Sequence, residues 1–225
     1  ALEFKAAPIS NIGKSGTVHS AADDDVVKSL RGNEGWHHDS TYMPIQAKGA
    51  VFSAEIVPPD NAPTGFADMR AAYDALDVAE QARLSTLTAY HSLYYSQGRA
   101  GYLPSKKNEQ GGYNQYGYHD MEPSLRPLVK VHPDTGRPNL CIGRHAYGIV
   151  GMDPDESERL LDDLNDWACQ PPRVYFHHWN VGDAVVWDNR RLMHCATAFD
   201  MTQPRRMWHT RIAGEPESEL ALNHG

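Results

Sequence analysis

The 225 residues carry a net charge of −8 with histidine neutral, which argues against nucleic acid as a partner because phosphate binding needs a basic surface. Hydrophobic residues make up 40% of the chain, enough for a packed core, and charged residues at 22% match ordinary globular domains, so global disorder is excluded. No stretch approaches the ~20 apolar residues of a membrane helix, and Cys141, Cys169 and Cys195 fit no zinc motif or disulfide framework, so a cytoplasmic setting is expected.

Residues 7–22 are rich in Ser, Gly, Asn and Ala and read as loop. Asp23-Asp24-Asp25 can start a short helix through Val26–Leu30, since acids favour a first helical turn. Gly49 to Val57 reads as a mostly buried strand ended by Pro58-Pro59, and Asn61 to Gly65 as a turn. Asp68 to Leu84 has helical spacing with a break expected near Asp77. The glycine- and tyrosine-rich segment 98–123 reads as either a substrate lid or a mobile insertion. Residues 128–132 and 139–143 flank a turn-rich tip and predict a hairpin. Asp153-Pro154-Asp155-Glu156 is a helix start, with Leu160, Leu161, Leu164 and Trp167 on one face and Pro171-Pro172 as the stop. Strands are expected at Val174–Trp179, Ala184–Asp188 and Arg206–Ala213. Many strands with a few helices predict a mainly β sandwich or barrel with helical additions.

Within this frame, His37-His38-Asp39 places an imidazole and a carboxylate at i and i+2, on one face if the segment is extended, with His38 pointing away. With His194 they make two histidines and one carboxylate, the facial triad of non-haem iron(II) sites, which leaves three coordination positions open. His-X-Asp alone is weak, because twelve histidines make chance pairs easy. Arg205, a short way beyond His194, strengthens it. A cosubstrate such as 2-oxoglutarate chelates iron through its keto and carboxylate oxygens, and its distal carboxylate then needs a cation that can pair bidentately. Cys195 reads as a small packed residue, not a nucleophile.

Three runs then carry a resemblance: Trp36-His37-His38-Asp39-Ser40-Thr41-Tyr42, Trp187-Asp188-Asn189-Arg190 with His194, and Arg205 through Gly214. The chain resembles the taurine dioxygenase / chlorophenoxyacetate dioxygenase family of iron(II)- and 2-oxoglutarate-dependent oxygenases, from about Asn33 to Gly214. The resemblance implies a double-stranded β-helix, or jelly roll, treated as one catalytic domain over 1–225 with an incomplete N-terminus. It implies His37, Asp39 and His194 as iron ligands, Arg205 and Thr64 on the distal carboxylate of 2-oxoglutarate, Asn33 in the cosubstrate pocket, and O2 as co-reactant. One departure stands out: the second arginine that binds sulfonate in taurine dioxygenase is replaced here by His209. The run through His209-Thr210-Arg211, with Phe66 to Tyr73 and Gly143 to Ala146, looks closer to dichlorprop-type aryloxyalkanoate dioxygenases.

The expected activity is therefore hydroxylation of a small anionic organic acid, an aryloxyalkanoate-type carboxylate, with release of succinate and CO2. His209, Arg211 and His145, with Arg144, are the candidates for its carboxylate. A sulfonate or alkyl-sulfate dioxygenase is the alternative, and a non-catalytic metal-binding jelly roll a third reading. A homo-oligomer with neither nucleic-acid nor membrane partners is expected.

Overall fold

A computed structural model of the chain describes residues 6–105, 107–109, 111–113 and 116–225. In chain order the elements are β1 (Ala7–Ser10), α1 (Asp25–Gly32), β2 (Gly49–Ile56), β3 (Thr64–Asp68), α2 (Met69–Asp74), α3 (Val78–Leu84), β4 (Thr88–His91), α4 (Leu93–Arg99) and β5 (Ser124–Pro127). They continue with β6 (Val129–Val131), β7 (Pro138–Leu140), β8 (Ala146–Tyr147), α5 (Pro154–Ala168), β9 (Val174–His177), β10 (Ala184–Asp188), β11 (Leu192–Ala196), β12 (Arg206–Ile212) and α6 (Pro216–Glu219).

Alternation along β2 builds the platform. Ala50, Phe52 and Ala54 are buried, whereas Glu55 is exposed, because successive side chains of a strand leave opposite faces. The larger sheet runs β1-β12-β2-β10, and a three-stranded sheet runs β11-β3-β9. Apolar side chains of the first, including Phe52, Trp187 and Met207, pack with Phe66 of β3 and with Trp179 into one core cluster. Full burial of a side chain such as Met207 stabilises the fold by about 1.5–3 kcal/mol. Two antiparallel sheets joined through such a core form the jelly roll that the family resemblance implies. A second cluster, with Leu128, Leu140, Ile142 and Met193, lies under α2 and α5 and backs β11.

The local signals work as expected where a side chain meets its own neighbourhood. Asp24 caps α1 by accepting from the Val26 N–H at 2.8 Å. The helical stretch after Asp68 does break near Asp77, which caps α3 through the Glu80 N–H. Asp153 caps α5 with Pro154 in its first turn, and β6 and β7 form the hairpin.

Three features differ from expectation. Residues 7–10 form a strand, not a loop, because β12 supplies a full set of partners from Arg206 to His209. Thr64 opens β3 and pairs with Ala196 and His177; the turn before it is made by Asn61 and Ala62, both with positive φ (67° and 42°). Finally, β4 and α4 occupy a stretch that carries no strong sequence signal. Within segment 98–123, residues 106, 110, 114 and 115 lie outside the described residues, and the rest beyond α4 holds neither helix nor strand. It is nevertheless tied down: Tyr116 hydrogen-bonds Ser40 (2.9 Å), and His119 Nε2 donates to the Tyr42 carbonyl (2.8 Å). Among the described residues, no helix is long and apolar enough to cross a membrane. Cys141, Cys169 and Cys195 are free thiols, and burial pushes the Cys195 thiol up to about 12, which suits a packed side chain.

Candidate metal and cosubstrate site

The segment carrying His37 and Asp39 is not a strand. It makes one isolated antiparallel bridge, His37 with His194, in which each backbone N–H donates to the other's carbonyl (3.0 and 2.8 Å). That reciprocal pair sets two imidazoles side by side, with ring centroids 4.3 Å apart. The chain then turns sharply at Ser40 (φ 59°), so Asp39 is presented from the mouth of a turn. His37, Asp39 and His194 each offer one ligand atom, all within 4.8 Å of one another, and all three residues are buried.

Protonation favours ligation. Burial drives the His37 pKa down to about 4 against the opposing pull of Asp39, and burial likewise holds His194 well below its ordinary value. Both rings are therefore neutral at pH 7. His37 Nδ1 lies 2.7 Å from the Gly35 carbonyl, which can only accept, so Nδ1 carries the proton and Nε2 keeps its lone pair. Burial pushes the Asp39 carboxyl upward, but Arg211 and His209, with His194, overcome this and keep it well below the usual range. His209 Nε2 lies 3.1 Å from Asp39 Oδ2 and Arg211 3.6 Å from Oδ1. Asp39 Oδ2 nevertheless has no hydrogen bond of good geometry, and neither has His194 Nδ1. Two neutral imidazoles and one anionic carboxylate with spare lone pairs are the donor set that a 2-His-1-carboxylate metal requires. His38 sits outside this group, its Nδ1 donating to the Asn189 carbonyl at 2.8 Å.

A half-open cleft with a cavity volume of about 70 Å³ lies beside these residues. Thr64 and Asn33 reach it from the β3 side and the end of α1, and Arg205, His209 and Arg211 from β12 or the residue before it. Arg206 points the other way, to Glu55 at 3.2 Å, as strand alternation requires. Arg205 is the unusual member. It is 5% exposed, flanked by the rings of Phe52 and Phe199 at 5.8 and 5.6 Å, and its Nε has no partner. Burial drives its pKa down to about 10, with only Asp60 pulling weakly upward. A buried guanidinium without a bonded acid is costly, and an incoming anion would relieve it.

Thr64 lines the same cleft. The Trp179 indole N–H donates to Thr64 Oγ1 at 3.0 Å, which uses one lone pair and leaves the hydroxyl proton free to donate into the cleft. Sequence reasoning missed Trp179; its indole carried no signal distinguishing it from a core aromatic. It also assigned no role to Trp187, whose ring stacks on His209 at 5° and packs against His194. His145 does not line the cleft. It stands behind His37 (5.5 Å between ring centres), beside Tyr42, and is bonded to Ser96. Arg144 donates to Gly32 and Gln97, and burial also brings its pKa to about 10.

Comparison with known proteins agrees with this geometry. The family model described as taurine catabolism dioxygenase TauD, TfdA family matches residues 3–211. An (S)-phenoxypropionate/alpha-ketoglutarate-dioxygenase of Sphingobium herbicidovorans is 61% identical over 224 residues, covering 99% of this chain and 77% of the relative. A protein of the same description from Delftia acidovorans is 56% identical over 218 residues, covering 95% and 73%. Among solved structures, AAD-2 in complex with Mn(II) and N-oxalylglycine superposes with a TM-score of 0.85 at 38% identity, covering 97% of this chain and 75% of that one.

Proposed function

Because the chain belongs to the TauD, TfdA family of taurine catabolism dioxygenases, we propose that it is an iron(II)- and 2-oxoglutarate-dependent dioxygenase of aryloxyalkanoates, with an (S)-2-aryloxypropionate as substrate. The observation that carries the site assignment is the buried, acid-free Arg205 guanidinium in the same cleft as the His37, Asp39 and His194 donor group. A bare metal-binding module has no use for such a cation. A cosubstrate with a carboxylate at each end does. The relative bound to Mn(II) and N-oxalylglycine supports this, since N-oxalylglycine is 2-oxoglutarate with one methylene replaced by NH.

In this reading His37 Nε2, Asp39 and His194 hold the metal, and Arg205 and the Thr64 hydroxyl hold the distal carboxylate of 2-oxoglutarate, with Asn33 on the cleft wall. With iron(II) and 2-oxoglutarate bound, the centre supplies O2 activation coupled to decarboxylation to succinate, and hydroxylation of a substrate C–H. Phe52, Phe199 and Trp187 supply apolar walls to the same cleft. Arg211 is our choice for the substrate carboxylate: it borders the cleft, touches Asp39, and lies against the Tyr116 ring at 4.5 Å. Hydroxylation beside the ether oxygen would give a hemiketal that collapses to a phenol and a 2-oxo acid.

The test is to load the protein anaerobically with iron(II) and 2-oxoglutarate, then admit O2 with each of a panel of acids. The panel holds both enantiomers of an aryloxypropionate, an aryloxyacetate, an alkyl sulfate and taurine. Succinate and phenol formed in equal amounts, fastest with the (S)-aryloxypropionate, is the expected result. Turnover confined to taurine or the alkyl sulfate would refute the substrate assignment, and no substrate-dependent succinate with any acid would refute the enzyme.

A further inference from the structure

The backbone bridge between His37 and His194 accounts for the placement of two members of the donor group but not the third. Asp39 lies past the bridge, at the start of the Ser40 turn, where no strand runs beside it. Its backbone is met instead by a side chain from the other end of the chain. Asn189 is 0% exposed. Its Oδ1 accepts from the Asp39 N–H at 2.8 Å, and its Nδ2 donates to the Asp39 carbonyl at 2.9 Å and to the Ala47 carbonyl at 2.7 Å. The amide orientation is settled by its partners, since a backbone N–H only donates and a carbonyl only accepts. The same residue's own carbonyl accepts from His38 Nδ1, and its own N–H donates to the Lys48 carbonyl.

The residues on either side explain why Asn189 alone points inward. Asp188 and Arg190 pair with each other at 2.9 Å, while Asp188 also binds His132 and Arg190 binds Asp134 (2.8 Å each). These contacts tie the β10–β11 corner together around Asn189, which projects from it three residues before β11 and its His194.

We propose that Asn189 is a positioning residue for the metal-binding carboxylate: its side-chain amide stands in for the missing strand neighbour of Asp39 and couples that residue's backbone to the β10–β11 corner that leads to His194. This rests on Asp39 being a metal ligand. The amide touches neither metal nor substrate. It acts by keeping Asp39 in register with the bridged histidines, so its loss scatters the carboxylate without removing a donor.

The experiment measures Mn(II) affinity of the metal-free protein by following the spin-resonance signal of free Mn(II), together with the thermal midpoint. The variants are Asn189→Ala, Asn189→Asp, Asp39→Ala and, as a stability control remote from the site, Ser157→Ala, which removes the buried bond from the Ile149 N–H to Ser157 Oγ. Asn189→Asp keeps the shape and the acceptor but loses both donors, so it guards against a variant that merely leaves a cavity. Outer partners of metal ligands typically contribute about 10–100-fold to affinity. Both Asn189 variants are expected to weaken Mn(II) at least about tenfold, with Ser157→Ala within about twofold at a comparable loss of thermal midpoint. Folded Asn189 variants with wild-type affinity, while Asp39→Ala has lost the metal, would overturn this proposal alone. Wild-type affinity in Asp39→Ala would overturn both the proposal and the metal assignment. Failure of both Asn189 variants to fold, with Ser157→Ala folded, would also overturn it, because the role would then be general stability.

Discussion

Replacing Arg205 with methionine should move stability and cosubstrate binding in opposite directions. The guanidinium is buried between Phe52 and Phe199 with no acid bonded to it, and burial lowers its pKa from the ordinary arginine value to about 10. At roughly 1.4 kcal/mol per pH unit, that fall disfavours the charged form in the ligand-free fold by about 3 kcal/mol. The folded value lies below the unfolded one, so for a base the penalty is in force at neutral pH and is relieved only as pH rises above about 10. Lysines and tyrosines titrate there too, so substitution is the cleaner perturbation. Methionine keeps an unbranched apolar stem between the two rings and removes the charge. After discounting for relaxation, the ligand-free thermal midpoint should rise by roughly 2–6 °C, given about 2–4 °C per kcal/mol for a chain of this size. With 2-oxoglutarate the effect reverses: removing one partner of a buried charge pair costs about 2–5 kcal/mol, a loss of roughly 30- to 5000-fold in affinity. Scanning calorimetry of the metal-loaded protein with and without 2-oxoglutarate, plus direct titration of the ligand, reads both arms. If Arg205→Met lowers the ligand-free midpoint and leaves 2-oxoglutarate affinity unchanged, the picture of Arg205 as an anion site waiting for its partner is wrong.

Arg206→Ala should change 2-oxoglutarate affinity less than about threefold and stability by less than about 1 kcal/mol, because that side chain faces outward on Glu55; an effect equal to that of Arg205 would contradict the strand alternation. His38→Ala should cost about 1–3 kcal/mol in chemical denaturation, since it strips the buried Asn189 carbonyl of its donor, yet weaken Mn(II) far less than Asp39→Ala; the reverse order would put His38, not its neighbours, on the metal. Trp179→Phe and Thr64→Val should each raise the KM for 2-oxoglutarate several-fold. Their double variant should be little worse than either, because the indole acts through the Thr64 hydroxyl; additive effects would show that Trp179 only packs.

Much of the site was legible because it depends on short-range chemistry. His-X-Asp brings its two donors together within three residues, a helix cap needs only its own first turn, and alternation from Arg205 into β12 puts Arg205, His209 and Arg211 on one side whatever lies opposite. The strand reading of the His37 segment reached the right grouping for a different reason: the chain makes one bridge and then turns, and that bridge supplies the neighbour His194. The four residues of β1 carry no readable pattern, since their strand character comes from the edge of β12. His145 was the weaker candidate beside His209 in sequence, and only packing could put one on Asp39 and the other behind His37.

The amino-acid sequence by itself determined the donor types, the local caps and turns, and the faces of the longer strands, because each is decided by the few residues around it. Only the tertiary structure decided that Asn189 reads the backbone of Asp39 from 150 residues away, that the Trp179 indole donates to the Thr64 hydroxyl, and that Arg205 is buried without a bonded acid. Desolvation and long-range hydrogen bonds arise when distant segments exclude water together, and no local pattern specifies which segments those are.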